Sequence, residues 1–199
     1  MPFTVVVITP EQTSPKETEV ISGLFKAGLK TLHVRKPLAG IQELKSYLQH
    51  IPENFLKRIV VHSHYTLAKE FNLKGIHLTE KAKKLKVKSY NVKVVSASFH
   101  STKDILKSRR KYEYVFLGPV FDSISKKNYK SNFTSEELSI FLKRTKQHVT
   151  ALGGINNKNI KTIKQLNFSG AAVLGYIWEA PDPVVAFKKL LSETRKPAF

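Results

Sequence analysis

The sequence predicts an α/β fold, a single-domain (β/α)8 TIM barrel over residues 1–199, and three observations carry that expectation. Eight short β-branched or apolar runs alternate with segments of helical period, the rhythm of βα units on a parallel sheet. No Pro/Gly/Ser-rich linker or low-complexity tract interrupts the 199 residues, a length that one core can serve. The residues where the runs stop are polar, charged or glycine, whereas packing alone would place more Val, Ile and Leu there. A doubly wound open sheet is the main alternative.

The elements follow in order. FTVVVI (3–8) opens the chain with β-branched residues suited to a pleated surface, and helical period follows over 15–27. TLHVR (31–35) leads to a helix over 41–50, RIVVH (58–62) to one over 65–71, and KGIHL (74–78) to a short one over 80–86. KVVSA (93–97) is paired with 102–110, EYVFLG (113–118) with 135–146, VTALG (149–153) with 157–166, and AAVLG (171–175) with 182–195. Such a chain is short for a barrel, so its loops must be tight.

The absence of cysteine excludes disulfides, Cys-based zinc sites and thiol catalysis, in keeping with a reducing cytoplasm. Met1-Pro2-Phe3 runs directly into the first strand without a signal-peptide pattern, and no apolar run approaches the roughly 18 residues of a membrane span. A soluble cytoplasmic protein is expected, with no membrane partner. The 34 basic and 15 acidic residues give a net charge of +19, which attracts anions, phosphorylated metabolites included. The lysines are spread over many segments, as at Lys81, Lys83 and Lys84 or Lys158, Lys161 and Lys164, without one aromatic-interleaved stripe. A solvated surface is therefore expected, and no nucleic-acid role.

In a barrel the site lies at the carboxyl ends of the strands, which here read Thr9, Arg35, His62, His77, Ser98, Gly118, Gly153, Gly154 and Gly175. The loops after strands 7 and 8 of such barrels often bind phosphate. Gly153 and Gly154 in VTALGGINNKN, and Gly175 in GAAVLGY, would let backbone N–H groups approach an oxyanion, with Asn156 or Asn157 capping the next helix. The plainer use of these glycines is in tight turns. Arg35 either pairs with a buried carboxylate or forks onto a phosphate or pyrophosphate, and the scarcity of acids near the other strand ends favours the anion. DSISKKNYKSNF (122–133) is read equally as a surface loop and as a lid carrying Ser123, Ser125, Lys126 and Lys127 to an anionic ligand. His33, His62, His64, His77 and His100 sit at or near strand ends. No ligand spacing on one element supports a metal, so hydrogen-bonded wall residues are expected, with a histidine metal site as the minor alternative.

At these residues the chain resembles the thiamine phosphate synthase/TenI family. LHVRK (32–36), VVHSHYTLA (60–68), GIHL (75–78), SASFHS (96–101), YVFLGPVFDSISKK (114–127), ALGGI (151–155) and AAVLG (171–175) appear in the family's order and spacing. The resemblance implies a TIM barrel of thiamine biosynthesis that handles phosphorylated thiazole and pyrimidine substrates. The synthases join a hydroxymethylpyrimidine diphosphate to a thiazole phosphate and release pyrophosphate with magnesium. It also implies that Ser98 contacts pyrophosphate and that Gly153, Gly154 and Gly175 hold the thiazole phosphate. Arg35, Ser98 and Lys126 are the catalytic candidates, and His33, His62, His77 and Gly118 complete the binding set.

The chain departs from the synthase pattern at the metal. Asn-Asp after strand 3 is replaced by His62-Ser63, and a second metal-binding Asp after strand 4 by Ala82, leaving Glu80 as a weak substitute among many lysines. The family's Gln-x-Arg-x-Lys reads His33, Arg35, Pro37, with Lys36 displaced by one, and His33 at the Gln position is closer to TenI, a branch that includes a thiazole phosphate tautomerase. The catalytic histidine of that tautomerase falls on Pro119, which offers no acid or base, so a general base must come from elsewhere. The expectation is a TenI-like paralogue lacking the magnesium carboxylates. The alternatives are a true thiamine-phosphate synthase with an altered metal site and a non-catalytic ligand-binding or regulatory barrel. No oligomeric state is assigned.

Overall fold

Eight parallel strands pair in sequence order, and the first pairs with the eighth to close a barrel. The structure is a computed structural model that describes residues 2–122 and 133–195. The strands are β1 (Thr4–Ile8), β2 (Leu32–Val34), β3 (Ile59–Val61), β4 (Gly75–Leu78), β5 (Val94–Phe99), β6 (Tyr114–Leu117), β7 (Val149–Leu152) and β8 (Gly170–Val173). Each falls on a predicted run. The helices are α1 (Glu17–Lys26), α2 (Ile41–Gln49), α3 (Glu53–Leu56), α4 (Thr66–Glu70), α5 (Thr102–Lys107), α6 (Ser135–Arg144), α7 (Ile160–Gln165), α8 (Gly175–Trp178) and α9 (Pro183–Arg195).

Local chemistry explains the differences from expectation. The predicted helix over 80–86 is a 3-10 turn, Glu80–Lys84, followed by another at Val87–Tyr90. Its closely spaced lysines repel at helical spacing and leave no buried face to hold a longer helix. The eighth strand stops at Val173 because Leu174, at φ −134° and ψ −83°, leaves the extended region, and α8 begins at Gly175. Trp178 Nε1 donates to the Ile8 carbonyl at 2.7 Å, which docks this short helix on β1 beside the barrel mouth. Neither Asn156 nor Asn157 caps α7. Asn159 occupies that position, and its Oδ1 accepts from Asn156 N at 2.9 Å while its Nδ2 donates to the Gly154 carbonyl at 2.9 Å.

Side chains alternate between the two faces of each strand. Val5 and Val7 join the large outer core with the helices, whereas Val6 and Ile8 pack inside the barrel with Phe116 and Ala172. The same alternation sends Leu32, Val34, Ile59, Val61, Ile76 and Leu78 outward. Barrel interiors are ordinarily filled by bulky aliphatic residues. Here part of the interior is polar, with His33, His62 and His77 in mutual ring contact and Tyr114 against His33.

A second polar cluster lies beneath the loop after β1. Glu17 is fully buried and Lys36 is 2% exposed, their Nζ–Oε2 distance is 2.8 Å, and Tyr47 Oη donates to the other carboxylate oxygen at 2.6 Å. Lys36 Nζ also donates to the carbonyls of Pro10 and Gln12, so every proton of the ammonium is used structurally.

Candidate active site

A cavity of ≈350 Å³ opens at the C-terminal face of the barrel. Its rim carries Gly153, Gly154, Gly175 and Arg35, and its floor is formed by His62, His77, Ser98 and Phe116. This is where a barrel fold places chemistry, because the loops here vary while the strands hold them rigid.

The glycines after β7 have a double cause. Gly153 and Gly154 sit at φ +98° and +63°, where side chains are strained. A Cβ on Gly153 would lie 2.8 Å from Pro119 Cα, and one on Gly154 would lie 2.7 Å from Phe121 Cβ and collide with the Asp122 carbonyl. What approaches these backbones so closely is therefore the loop after β6. The resulting turn faces the cavity. Gly175 is on the wall as expected, at the start of α8, whose first N–H groups have no acceptor within the helix.

Other candidates divide. Gly118 is buried away from the cavity wall, packed so closely on β7 that a Cβ would strike the Leu152 carbonyl, and its own carbonyl lies 3.0 Å from His100 Nδ1. Arg35 lines the cavity, but its guanidinium also pairs with Glu11 at 2.6 Å, a carboxylate on the loop after β1 that the strand-end reading did not select. His33 and His77 are inside the barrel rather than at its rim, because each falls within its strand on the inward side. His64 leaves the group altogether, with Nε2 2.9 Å from the Ala39 carbonyl. Lys126, Ser123, Ser125, Lys127 and most of the proposed lid lie outside the described residues.

The polar floor is a hydrogen-bonded network. His33 Nδ1 lies 2.8 Å from His62 Nε2, and His33 Nε2 lies 2.6 Å from Tyr114 Oη. His77 Nδ1 lies 2.8 Å from Ser96 Oγ, and its Nε2 lies 2.8 Å from Ser98 Oγ. Ser96 and Tyr114 are register partners across β5 and β6. Burial, then the neighbouring His77 and Lys74, hold His33 well below the usual imidazole range. His62 is lowered by burial and then by His77, His33 and Arg35. His77 is pushed down to about 3 by burial, then by Lys83 and Arg35. Burial raises Tyr114 above the usual phenol range. All four groups are thus neutral at neutral pH, and each imidazole offers one donor and one acceptor.

Sequence reading missed Tyr114 and Ser96. Period-two alternation was the available signal, since it places Tyr114 on the face of Phe116 and Ser96 on the face of Ser98.

The site offers little to a hard cation. Glu80 is the one carboxylate on the cavity wall among the described residues, and it pairs with Lys83 at 2.7 Å. Ser63 and Ala82 add no charge where synthases carry acids, so the residues present do not fit magnesium, which takes oxygen ligands including carboxylates. The three imidazoles bring ligand atoms within 4.8 Å of one another, as a softer metal requires. Yet His62 and His77 stack at 4.2 Å with 20° between their planes, which aims their in-plane lone pairs side by side rather than at one point. We read them as a hydrogen-bonded network, not a coordination sphere.

Closed barrel, open mouth and glycine-walled cavity define a (β/α)8 protein with a ligand-sized cavity at its C-terminal face. The chain belongs to the thiamine monophosphate synthase family, an enzyme family whose sequence model matches residues 5–177. It is 28% identical over 196 residues to the thiamine-phosphate synthase of Prochlorococcus marinus, covering 93% of this chain and 55% of that protein, so it spans about half the length of that relative. A crystal structure of thiamine phosphate pyrophosphorylase from Bacteroides thetaiotaomicron superposes with a TM-score of 0.83 at 34% identity, covering 96% of this chain and 97% of that one. Thiamine phosphate pyrophosphorylase from Pyrococcus furiosus is similar in fold, with a TM-score of 0.80 at 20% identity over 96% of this chain and 95% of that one.

Proposed function

We propose that this protein is a TenI-like member of the family that binds a thiazole phosphate or thiamine phosphate in the cytoplasm, with the phosphate on the loops after β7 and β8. The carrying observation is the cavity itself, which sets two positive-φ glycines and Gly175 on one wall and an array of neutral histidines and serines on the floor. Backbone N–H groups at the glycine turn suit a phosphate, and Arg35 adds a cation at the rim. Ser98 faces the ligand from the floor. The floor lacks the carboxylates that would clamp a diphosphate leaving group through magnesium, which supports the TenI-like reading over the synthase one.

Calorimetric titration with thiazole phosphate tests the proposal. Saturable 1:1 binding, weakened at least tenfold by Arg35→Ala, is expected. No binding to the wild-type protein would overturn it.

True thiamine-phosphate synthesis is the second reading, favoured by the 34% identity to the Bacteroides pyrophosphorylase. It requires turnover of hydroxymethylpyrimidine diphosphate and thiazole phosphate at a rate ordinary for enzymes, roughly 1 per second or faster. We expect turnover at least a hundredfold slower, because the metal clamp is missing.

A further inference from the structure

The amino end of the barrel carries another hollow, of ≈370 Å³, on the face opposite the candidate active site. Three segments enclose it: Lys57 after α3, the end of α4 with the turn into β4, and the turn into β5. The second segment brings Lys69, Asn72 and Lys74, and the third brings Asn91 and Lys93. Parallel pairing explains the convergence. Gly75 of β4 is the register partner of Val94 of β5, so the lysines that precede the two strands are set side by side. Asn72 and Asn91, at φ +48° and +47°, make the left-handed turns that end α4 and the 3-10 turn Val87–Tyr90.

No acid lines this hollow. Among the described residues Lys57, Lys69 and Lys93 form no ion pair, and the side-chain amides of Asn72 and Asn91 form no hydrogen bond. The acids nearest the hollow do not answer its charge, since Glu70 pairs with Lys45 and Glu113 acts on Lys74 without an ion-pair contact. Lys74 is half-buried, and its ammonium donates to the Thr31 hydroxyl and, at 3.4 Å, to the Lys30 carbonyl, both of them neutral. Burial holds it below the usual lysine range. A cation drawn out of water without an acidic partner costs free energy, and an anion seated in the hollow would return part of it.

We propose that this hollow is a binding site for a small polyphosphate, held by Lys57, Lys69, Lys74 and Lys93 and separate from the cavity at the other end of the barrel. Ammonium groups act as point charges, which suits phosphate oxygens pointing in several directions, whereas a planar carboxylate is better met by the fork of an arginine. Four cations around one opening exceed the charge of a single phosphate group, so a chain of two or three phosphates matches them better. Lysines of a plain solvated surface point apart into water, but these share one concavity.

An amide NMR titration with inorganic tripolyphosphate tests the proposal. It is run on the Arg35→Ala variant, which weakens the pull of the active-site cavity on anions, at about 0.15 M ionic strength, where diffuse attraction is screened beyond roughly 8 Å. Saturable shifts centred on residues 69–74 and 91–93 are expected, with tighter binding than inorganic phosphate shows. Lys69→Gln combined with Lys93→Gln, both at exposed positions, should weaken binding about tenfold or more through lost hydrogen bonds to charged groups. Lys103→Gln combined with Lys107→Gln removes the same charge from an exposed face of α5 and should leave the affinity unchanged. Absence of binding, shifts that never saturate, shifts confined to the turn at Gly153 and Gly154, or equal losses in the two double variants would each overturn the proposal. The thiazole phosphate reading would stand in all of these cases, because its own calorimetric test concerns the opposite face.

Discussion

His33 and His62 share a single hydrogen bond between ring nitrogens, Nδ1 to Nε2 at 2.8 Å, inside a barrel where neither ring can carry a charge cheaply. One imidazole must donate and the other accept, so protonating the pair sets two N–H groups against each other. From outside the pair, Lys74 adds repulsion at His33 and Arg35 at His62.

The first prediction is acid lability. Histidines titrate near ~6.5 in the unfolded chain, whereas His33, His62 and His77 are held below that when folded. Between the two values the unfolded chain binds more protons, so stability rises with pH up to about 6.5 and is lost as pH falls below it. Each such histidine contributes on the order of 1 kcal/mol between pH 7.5 and 5.5, and the coupled set of three a few kcal/mol. Urea unfolding at the two pH values measures this, and equal stabilities would contradict the burial of neutral imidazoles.

The second prediction concerns Lys36 and Glu17. Lys36→Met leaves a buried carboxylate without its cation and should lower unfolding free energy by about 3–5 kcal/mol. Adding Glu17→Gln to that variant should recover part of the loss, because it removes the stranded charge. A loss below about 1 kcal/mol for the single variant would show the pair is hydrated.

At Gly154, substitution by Val should be felt twice. The left-handed φ and the collision with the loop after β6 should lower the urea midpoint, at a cost of about 1–3 kcal/mol from the backbone alone. Thiazole phosphate affinity should fall as the turn moves. The circular dichroism of the native state should persist, since the barrel hydrogen bonds are untouched. An unchanged midpoint together with unchanged affinity would sink the turn's assigned role.

Restoring acids offers a fourth test. Ser63→Asp with Ala82→Asp should raise magnesium-dependent thiamine phosphate formation if the rest of the synthase site is intact, and chelator should abolish the gain. Chelator-sensitive turnover of the unmodified protein at an ordinary rate would point to a rebuilt metal site, with Glu80 the first residue to substitute.

The net charge of +19 gives the last prediction. Nucleic-acid binding should be weak, sequence-blind and gone by physiological salt, since distributed lysines supply only the counterion-release term. Tight binding of duplex or single strands at that salt, by fluorescence anisotropy, would overturn the metabolic reading.

Period and punctuation in the sequence were enough for the barrel. Eight runs of strand character and their helical partners depend on short-range alternation, and all eight became strands. Among the described residues no helix is long and apolar enough to cross a membrane, as the hydropathy pattern indicates. The glycine pair and Gly175 were legible because backbone permissiveness is written in residue type. The direction of each strand-end side chain was not. His33, His77 and Gly118 were grouped with the rim, whereas barrel closure sends the two histidines inward and presses Gly118 against β7. Arg35's partnership with Glu11, the run from His62 through His33 to Tyr114, and the run from Ser96 through His77 to Ser98 join residues up to 81 positions apart. No local rule of propensity or spacing encodes such contacts. They follow from strand register and barrel closure, which bring distant strands within hydrogen-bond reach and exclude the water that would otherwise keep their side chains apart.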